Sequence, residues 1–148
     1  MAQEPKGNDR DQVKAIAAGI GDVAIVNTYY MGLLVNSSNP EEQKVGKQAG
    51  IFFPNQQGRG THINISGAAI TAHSSNTANA QKLIEFLLDN KAQKAFTNET
   101  YEYPVNKNVE WSPLLTEWGD YKPDTLPLDE LGEHLDTSMI IFDQAGWR

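Results

Sequence analysis

Two adjacent tyrosines, Tyr29 and Tyr30, offer the clearest ligand chemistry in this sequence. Phenol oxygens are hard donors, and hard donors suit small, highly charged cations, whereas thiolates suit soft metals. A tyrosine in water has a pKa of about 10, but a bound trivalent ion can displace the proton, as metals do for other coordinated acids. Ferric iron is the common biological ion that fits such a pair. The alternative is that both rings are only large, half-buried side chains at the start of a helix.

The residues around the pair predict a junction between a strand and a helix. Residues 23–26 are small, apolar and partly β-branched, which predicts a strand buried on both faces, as in a parallel sheet. Asn27 and Thr28 end this run, and either can cap a following helix. Adjacent residues of a strand point to opposite faces, so neighbouring phenols meet one ligand only where the backbone turns. Because open α/β sheets bind ligands at the carboxyl ends of strands, we expect both hydroxyls to face one concave surface.

Composition argues against several classes of function. The 148 residues include 12 Lys and Arg against 19 Asp and Glu, a net charge of −7, which argues against nucleic acid and anionic membranes. The absence of cysteine excludes disulfides, thiolate metal sites and cysteine nucleophiles. There is no apolar run long enough to span a bilayer, and residues 1–10 are polar, without the pattern of a signal peptide. Hydrolase, zinc-protease, Walker and dinucleotide motifs are also missing, so we predict that the protein is not an enzyme.

The rest of the chain predicts alternating helices and strands. Helical spacing of apolar residues indicates helices at 9–18, 41–49, after the cap at 74–77, at 91–97, and from 128 to near 146. The helix after 74–77 is expected to face the core. Strands are predicted at 51–53 and 61–71, and residues 107–127 are expected to wrap a surface because prolines discourage long elements. Arg59 is expected to be solvated or paired locally, and His62 and His73 have no neighbours at metal-binding spacing.

Several stretches of the chain resemble one family in the same order. The run Gly-Asp-Val-Ala-Ile-Val-Asn-Thr-Tyr-Tyr at residues 21–30 resembles the tyrosine-pair segment of bacterial ferric-iron-binding proteins. Residues 6–12, 53–67, 101–106 and the closing 141–147 resemble the same family. These proteins are the periplasmic substrate-binding components of ABC importers, and they have the type II periplasmic-binding fold.

This resemblance implies an α/β fold, the C-terminal portion of a type II periplasmic-binding-protein-like fold with three αβα layers. It implies that residues 1–59, with the tyrosine pair, and residues 107–148, with the final helix, belong to the C-terminal lobe. Residues 60–106 would return to the N-terminal lobe. Family members are longer, so the resemblance implies that this chain is their C-terminal half only. A middle segment without its sheet partners would favour self-association, and a homodimer is expected.

The resemblance also implies a function. Fe(III) would be captured by Tyr29 and Tyr30 as tyrosinates, in a cleft between two lobes that close by a hinge, for delivery to an ABC permease. Asn27 matches a family position near the bound anion, although its role as a helix cap stays open. The protein would be periplasmic or in the cell envelope. Iron would be a transported ligand that is absent from, or weakly bound by, this chain alone. The alternatives are capture of another small solute, such as an oxyanion or organic acid, and a fragment that binds nothing.

Overall fold

The computed structural model describes residues 3–147, which form eight helices. They are α1 (Asp9–Ala17), α2 (Thr28–Val35), α3 (Pro40–Gln48), α4 (Thr77–Leu87), α5 (Asn90–Glu99), α6 (Pro113–Trp118), α7 (Leu128–Glu133) and α8 (Leu135–Gln144). Within this range the β pairing is confined to one isolated parallel bridge, between Thr61 and Pro123. No helix in the same range combines the length and the apolar character that crossing a bilayer requires.

The chain divides into two compact units. The larger unit consists of Lys6–Phe52 and Asn64–Asp120, and it contains α1 to α6. The smaller unit consists of Met1–Pro5, Phe53–Ile63 and Tyr121–Arg148, and it contains α7 and α8. The assignment of residues to lobes made from the sequence is a different division, and it stays a prediction.

Helices α1, α2 and α3 of the larger unit enclose its apolar core. Val13 of α1 packs with Met31 and Leu34 of α2, and all three side chains are buried. Each such burial contributes about 1.5–3 kcal/mol. At Gly46 in α3 a Cβ atom would lie 2.7 Å from the backbone nitrogen of Val35. Glycine therefore lets α3 approach α2 closely, which fixes the helix that carries the tyrosine pair.

Helix α6 lies in a part of the larger unit where the sequence predicted little regular structure. Its prolines argued against a helix, but Pro113 occupies the first turn, where a missing N–H costs nothing. The Ser112 hydroxyl accepts a hydrogen bond from the Leu115 N–H at 3.4 Å and so caps the helix. Ser112 also donates its own N–H to the Thr97 hydroxyl of α5, at 3.4 Å. These buried contacts join α6 to α5.

Residues 23–26 are not assigned as the predicted strand, and the expectation that both faces of this segment are buried is wrong. Val26 packs against the α1–α3 core, whereas Val23 is 83% exposed and Ile25 is 90% exposed. Exposed and partly buried side chains alternate along residues 23–26, as they do where successive side chains point to opposite faces. One face is therefore covered by the core, and nothing among residues 3–147 covers the other.

Other predicted strands and one predicted core helix also differ from the structure. Within the described range, residues 51–53 form no strand, and of residues 61–71 only Thr61 takes part in a β bridge. Helix α4 was expected to face the core, but Leu83 within it and Leu88 at its C-cap are more than half exposed. A strand needs a neighbour for its backbone N–H and C=O groups, and an apolar helix face needs a surface to cover it. Among the described residues, residues 62–71 have no strand neighbour, and much of the apolar face of α4 stays exposed.

In the smaller unit, hydrogen bonds link the segment 53–63 to the segment 121–124. The Thr61 N–H donates to the Lys122 carbonyl at 2.9 Å, and the Asp124 N–H donates to the Thr61 carbonyl at 2.7 Å. Nε of Arg59 lies 3.4 Å from Oδ2 of Asp124, and the Arg59 side chain is largely exposed, which agrees with an arginine that is solvated or paired.

The single final helix predicted from the sequence is instead two helices, α7 and α8, which meet at His134. This residue ends α7 and begins α8. Gly132, a poor helix former, precedes the break.

Candidate metal-binding site

The start of α2 positions the two tyrosines. Asn27 has extended backbone, with φ −75° and ψ 139°, and the helix begins at Thr28. Tyr29 and Tyr30 therefore lie in the first helical turn. Met31, the next residue, is buried in the α1–α3 core and anchors this turn to the rest of the unit. The backbone changes direction at the pair, and this is the condition under which adjacent side chains can approach one ligand.

The two phenol rings contact each other. Their centroids are 5.0 Å apart and their planes are inclined by 72°, an edge-to-face arrangement. Both side chains are half-buried, so solvent reaches the pair. Edge-to-face aromatic pairs contribute about 0.5–1.5 kcal/mol beyond the area that they bury. The rings are thus held side by side while remaining accessible.

Asn27 occupies the cap position of α2, but its side chain makes no capping hydrogen bond. The side-chain oxygen of Asn27 instead accepts a hydrogen bond from Nδ2 of Asn64, at 3.2 Å. The backbone N–H of Asn27 donates to the Asp9 carboxylate at 3.2 Å, which ties the residue to the start of α1. The side-chain cap that sequence reasoning left open for Asn27 is therefore not formed.

Tyr101 supports α2 from a different part of the larger unit. It has a φ of 55°, a left-handed conformation that is uncommon for a residue other than glycine. Its ring lies directly on Gly32, where a Cβ atom would fall 2.1 Å from Cδ2 of the ring. Gly32 is three residues after Tyr29 and so lies on the same face of the helix. The packing of this ring on Gly32 gives Tyr101 a structural role beside the tyrosine pair.

A charged cluster holds α3 against the helices beside it. The Glu42 carboxylate accepts a hydrogen bond from the Ser37 hydroxyl at 2.8 Å and lies 3.4 Å from the Lys14 ammonium. The hydrogen bond from Ser37, and then the interaction with Lys14, lower the pKa of Glu42 below its ordinary value of 4.5. The ionised form of this carboxyl is therefore favoured in the folded chain.

Other side chains with metal-binding chemistry do not assemble. Across residues 3–147, no group of three or more His, Cys, Asp or Glu side chains comes together in a way that could hold a metal ion. His62 and His73 are both exposed. The tyrosine pair therefore remains the strongest metal-binding candidate in the described chain, and the roles of Tyr29, Tyr30 and Asn27 as ligands stay predictions.

Sequence reasoning missed two residues that shape this region. Asn64 was assigned only to a predicted strand, and Gly32 was not singled out. A glycine inside an apolar helical run is a signal of close packing, so Gly32 was detectable in principle. Asn64 carried no signal beyond its polar position in an alternating run, because its partner Asn27 is 37 residues away.

Comparison with known proteins identifies the family. Residues 9–123 match the family model described as bacterial extracellular solute-binding protein. Iron uptake protein A1 of Synechocystis is 42% identical over 148 residues, which are all of this chain and 41% of that protein.

Two solved structures have a closely similar backbone. The ferric binding protein from Campylobacter jejuni is 44% identical with a TM-score of 0.93. A Trichodesmium protein, solved in complex with iron and citrate ligands, is 41% identical with a TM-score of 0.95. Each match covers 100% of this chain and 47% of the solved chain. The chain thus spans less than half the length of these relatives, and it belongs to the bacterial extracellular solute-binding protein family.

Proposed function

We propose that this chain is part of an Fe(III)-binding protein that serves an ABC importer in the periplasm, and that Tyr29 and Tyr30 are two of its iron ligands. The observation that carries the proposal is the geometry of the pair, with two accessible phenols 5.0 Å apart between ring centroids at the start of a helix. The similarity to an iron uptake protein and to ferric-binding structures supports the same ion. Binding and release of a solute, without chemical change, is the proposed activity, so the protein is not an enzyme.

The chemistry of the pair suits ferric iron. Loss of the phenol protons gives two hard anionic oxygens, which the trivalent ion stabilises. Asn27 lies immediately before the helix and would contact an anion bound together with the metal.

Two phenolates fill only part of the coordination sphere of iron. The match leaves more than half of each solved relative uncovered, and we place the remaining ligands in that part. Water then competes for the open positions in this chain alone. Iron binding by the 148-residue chain is therefore weak.

The same reasoning assigns the chain to lobes. Residues 1–59 and 107–148 belong to a C-terminal lobe, and residues 60–106 return to an N-terminal lobe, in a three-layer αβα fold. The exposed apolar side chains of Val23 and Ile25 support the layered fold, because helices packed on that face of a complete sheet would cover them. The two lobes close on the ion by hinge motion. Without that cover, the exposed face favours a homodimer.

A small oxyanion or organic acid is the second candidate solute. The amide groups of Asn27 and Asn64, next to a helix start, would suit an anion without a metal. A chain that binds nothing by itself is the third possibility. Nucleic acid is not a proposed partner, because the net charge is −7.

Visible spectroscopy and calorimetry together separate these functions. A tyrosinate–Fe(III) complex absorbs visible light, whereas an oxyanion complex does not. We expect ferric citrate to produce a visible band, with saturation only at a large excess over protein, and we expect sodium citrate or phosphate without iron to produce none. Heat of binding from citrate or phosphate alone, with no band on adding iron, would support the second candidate and contradict the first. No heat of binding and no visible band would support the third possibility, a chain that binds nothing by itself.

A further inference from the structure

We infer that Asn64 is a positioning residue, which fixes the side-chain amide of Asn27 so that its NH₂ group faces outward and binds an oxyanion. This inference rests on the proposed function, in which Asn27 contacts a bound anion. It adds which atom of the Asn27 amide makes that contact. An amide can present either an acceptor oxygen or a donor nitrogen to a ligand. The hydrogen bonds around Asn27 decide which one is presented.

The orientation of Asn64 is set by its own backbone neighbour. The N–H of Ile65 donates to Oδ1 of Asn64 at 3.0 Å. A backbone N–H is only a donor, so it selects the oxygen of the Asn64 amide. The nitrogen of Asn64 consequently points the other way, and it donates to Oδ1 of Asn27 at 3.2 Å.

The orientation of Asn27 then follows. Its oxygen is engaged by Asn64, and its backbone is held by the Asp9 carboxylate at 3.2 Å. The exposed Asn27 side chain is left with its Nδ2 group as the part available to a ligand. That group can only donate hydrogen bonds. The site therefore prefers acceptor ligands such as carboxylate or carbonate, and it discriminates against ligands that approach with a hydroxyl or ammonium donor.

Substitution of Asn64 tests this directly. Asn64→Ala removes the donor without adding charge and leaves the Asn27 amide free to rotate. Asn64→Asp keeps the size but offers only acceptors, so Nδ2 of Asn27 turns toward Asp and its oxygen faces the ligand. Asn79→Asp is the control for charge, since Asn79 is an exposed residue inside α4.

The experiment is a nuclear magnetic resonance titration of the ¹⁵N-labelled, metal-free 148-residue chain with sodium citrate and, separately, sodium bicarbonate. We expect the Asn27 side-chain NH₂ resonances to shift with at least one of the two anions, and the two arms show which oxyanion is bound. Loss of one neutral hydrogen bond is worth about fivefold in affinity. Asn64→Ala should therefore weaken the affinity for the anion, measured from the shifts of the Asn27 NH₂ resonances, about fivefold. Asn64→Asp should abolish it, and its Asn27 NH₂ protons should show contacts to the new carboxylate. Asn79→Asp should behave as wild type.

The inference is overturned if the Asn27 NH₂ resonances do not respond to either anion in the wild-type chain. It is also overturned if Asn64→Ala and Asn64→Asp respond as wild type does. Iron is absent from this experiment, so failure of the proposed Fe(III) function appears separately, as a missing visible band in the ferric titration.

Discussion

Replacing Gly32 with alanine tests how α2, and with it the tyrosine pair, is held in place. The new Cβ atom would lie 2.1 Å, 2.3 Å and 2.7 Å from Cδ2, Cγ and Cβ of Tyr101. Carbon atoms do not approach this closely, so Tyr101 or the helix must move. Tyr101 is already in the left-handed region, with φ 55°, and this limits how its backbone can adjust.

The expected cost combines two opposing effects. Overpacking of this kind costs about 1–3 kcal/mol, and a contact that reaches Cβ of Tyr101 belongs at the upper end of that range. Alanine is better than glycine inside a helix by about 1 kcal/mol. We therefore expect Gly32→Ala to lower the free energy of unfolding by about 2 kcal/mol. Urea unfolding followed by circular dichroism measures this difference.

Two further variants isolate the cause. At Gly132 in α7 a Cβ atom would meet no other described residue within 4 Å, so Gly132→Ala should keep or raise stability. In a Tyr101→Ala background the ring is gone, and Gly32→Ala should then cost less than it does in the wild type. If Gly32→Ala raised stability as Gly132→Ala does, the close packing of Tyr101 on α2 would be refuted.

Three more predictions concern the scaffold and its exposed face. Leu34→Ala should lower the free energy of unfolding by about 2–5 kcal/mol, because Leu34 is fully buried; a urea midpoint close to that of wild type would contradict the assigned core. Ile25→Lys should change the free energy of unfolding by less than about 0.5 kcal/mol and reduce self-association in sedimentation velocity, and unchanged association would exclude this face from the contact. Glu42→Gln should lower stability at neutral pH but not in acid, as urea unfolding across pH measures: the lowered pKa means that the stabilisation is present above the ordinary value of 4.5 and is lost as pH falls through the folded-state pKa. An effect of equal size at all pH values would contradict the role of ionised Glu42.

Local patterns predicted the bounds of α1 and α3 well because helices depend on nearby residues. The α1 helix was predicted at 9–18 and lies at Asp9–Ala17, where Asn8 and Asp11 form a capping box. The α3 helix was predicted at 41–49 and lies at Pro40–Gln48, with Pro40 in its first turn. Spacing, caps and proline positions all lie within one or two turns of the chain, so a single sequence displays them.

Sheet structure and burial were predicted poorly because they depend on distant partners. Residues 23–26 have the composition of a buried strand, but Val23 and Ile25 are exposed. An extended segment becomes a buried strand only when other segments pair with it and cover it. An apolar composition indicates that a segment needs to be covered, but it does not show which residues cover it. The same explanation applies to the apolar face of α4.

At the candidate site, too, local features could be predicted from the sequence and long-range contacts could not. Tyr29 and Tyr30 were identifiable because their side-by-side placement follows from one local turn. The contacts of Asn64 with Asn27 and of Tyr101 with Gly32 were not, because they join residues far apart in the sequence. The placement of neighbouring side chains could be predicted, and the long-range contacts beside them required the structure.

The central claim is that the tyrosine pair binds ferric iron. It is tested most directly by the visible absorption of the 148-residue chain under excess ferric citrate at neutral pH, compared with a Tyr29→Phe, Tyr30→Phe double variant. Phenylalanine keeps each ring and removes the donor oxygen. Tyr103→Phe is the matched control, because the Tyr103 hydroxyl donates to the Gly119 carbonyl at 3.3 Å, a structural role. We predict a weakly bound complex with a visible band in the wild type and in Tyr103→Phe, and no band in the double variant. A band of equal intensity in the double variant, or no band in the wild type, would contradict the claim.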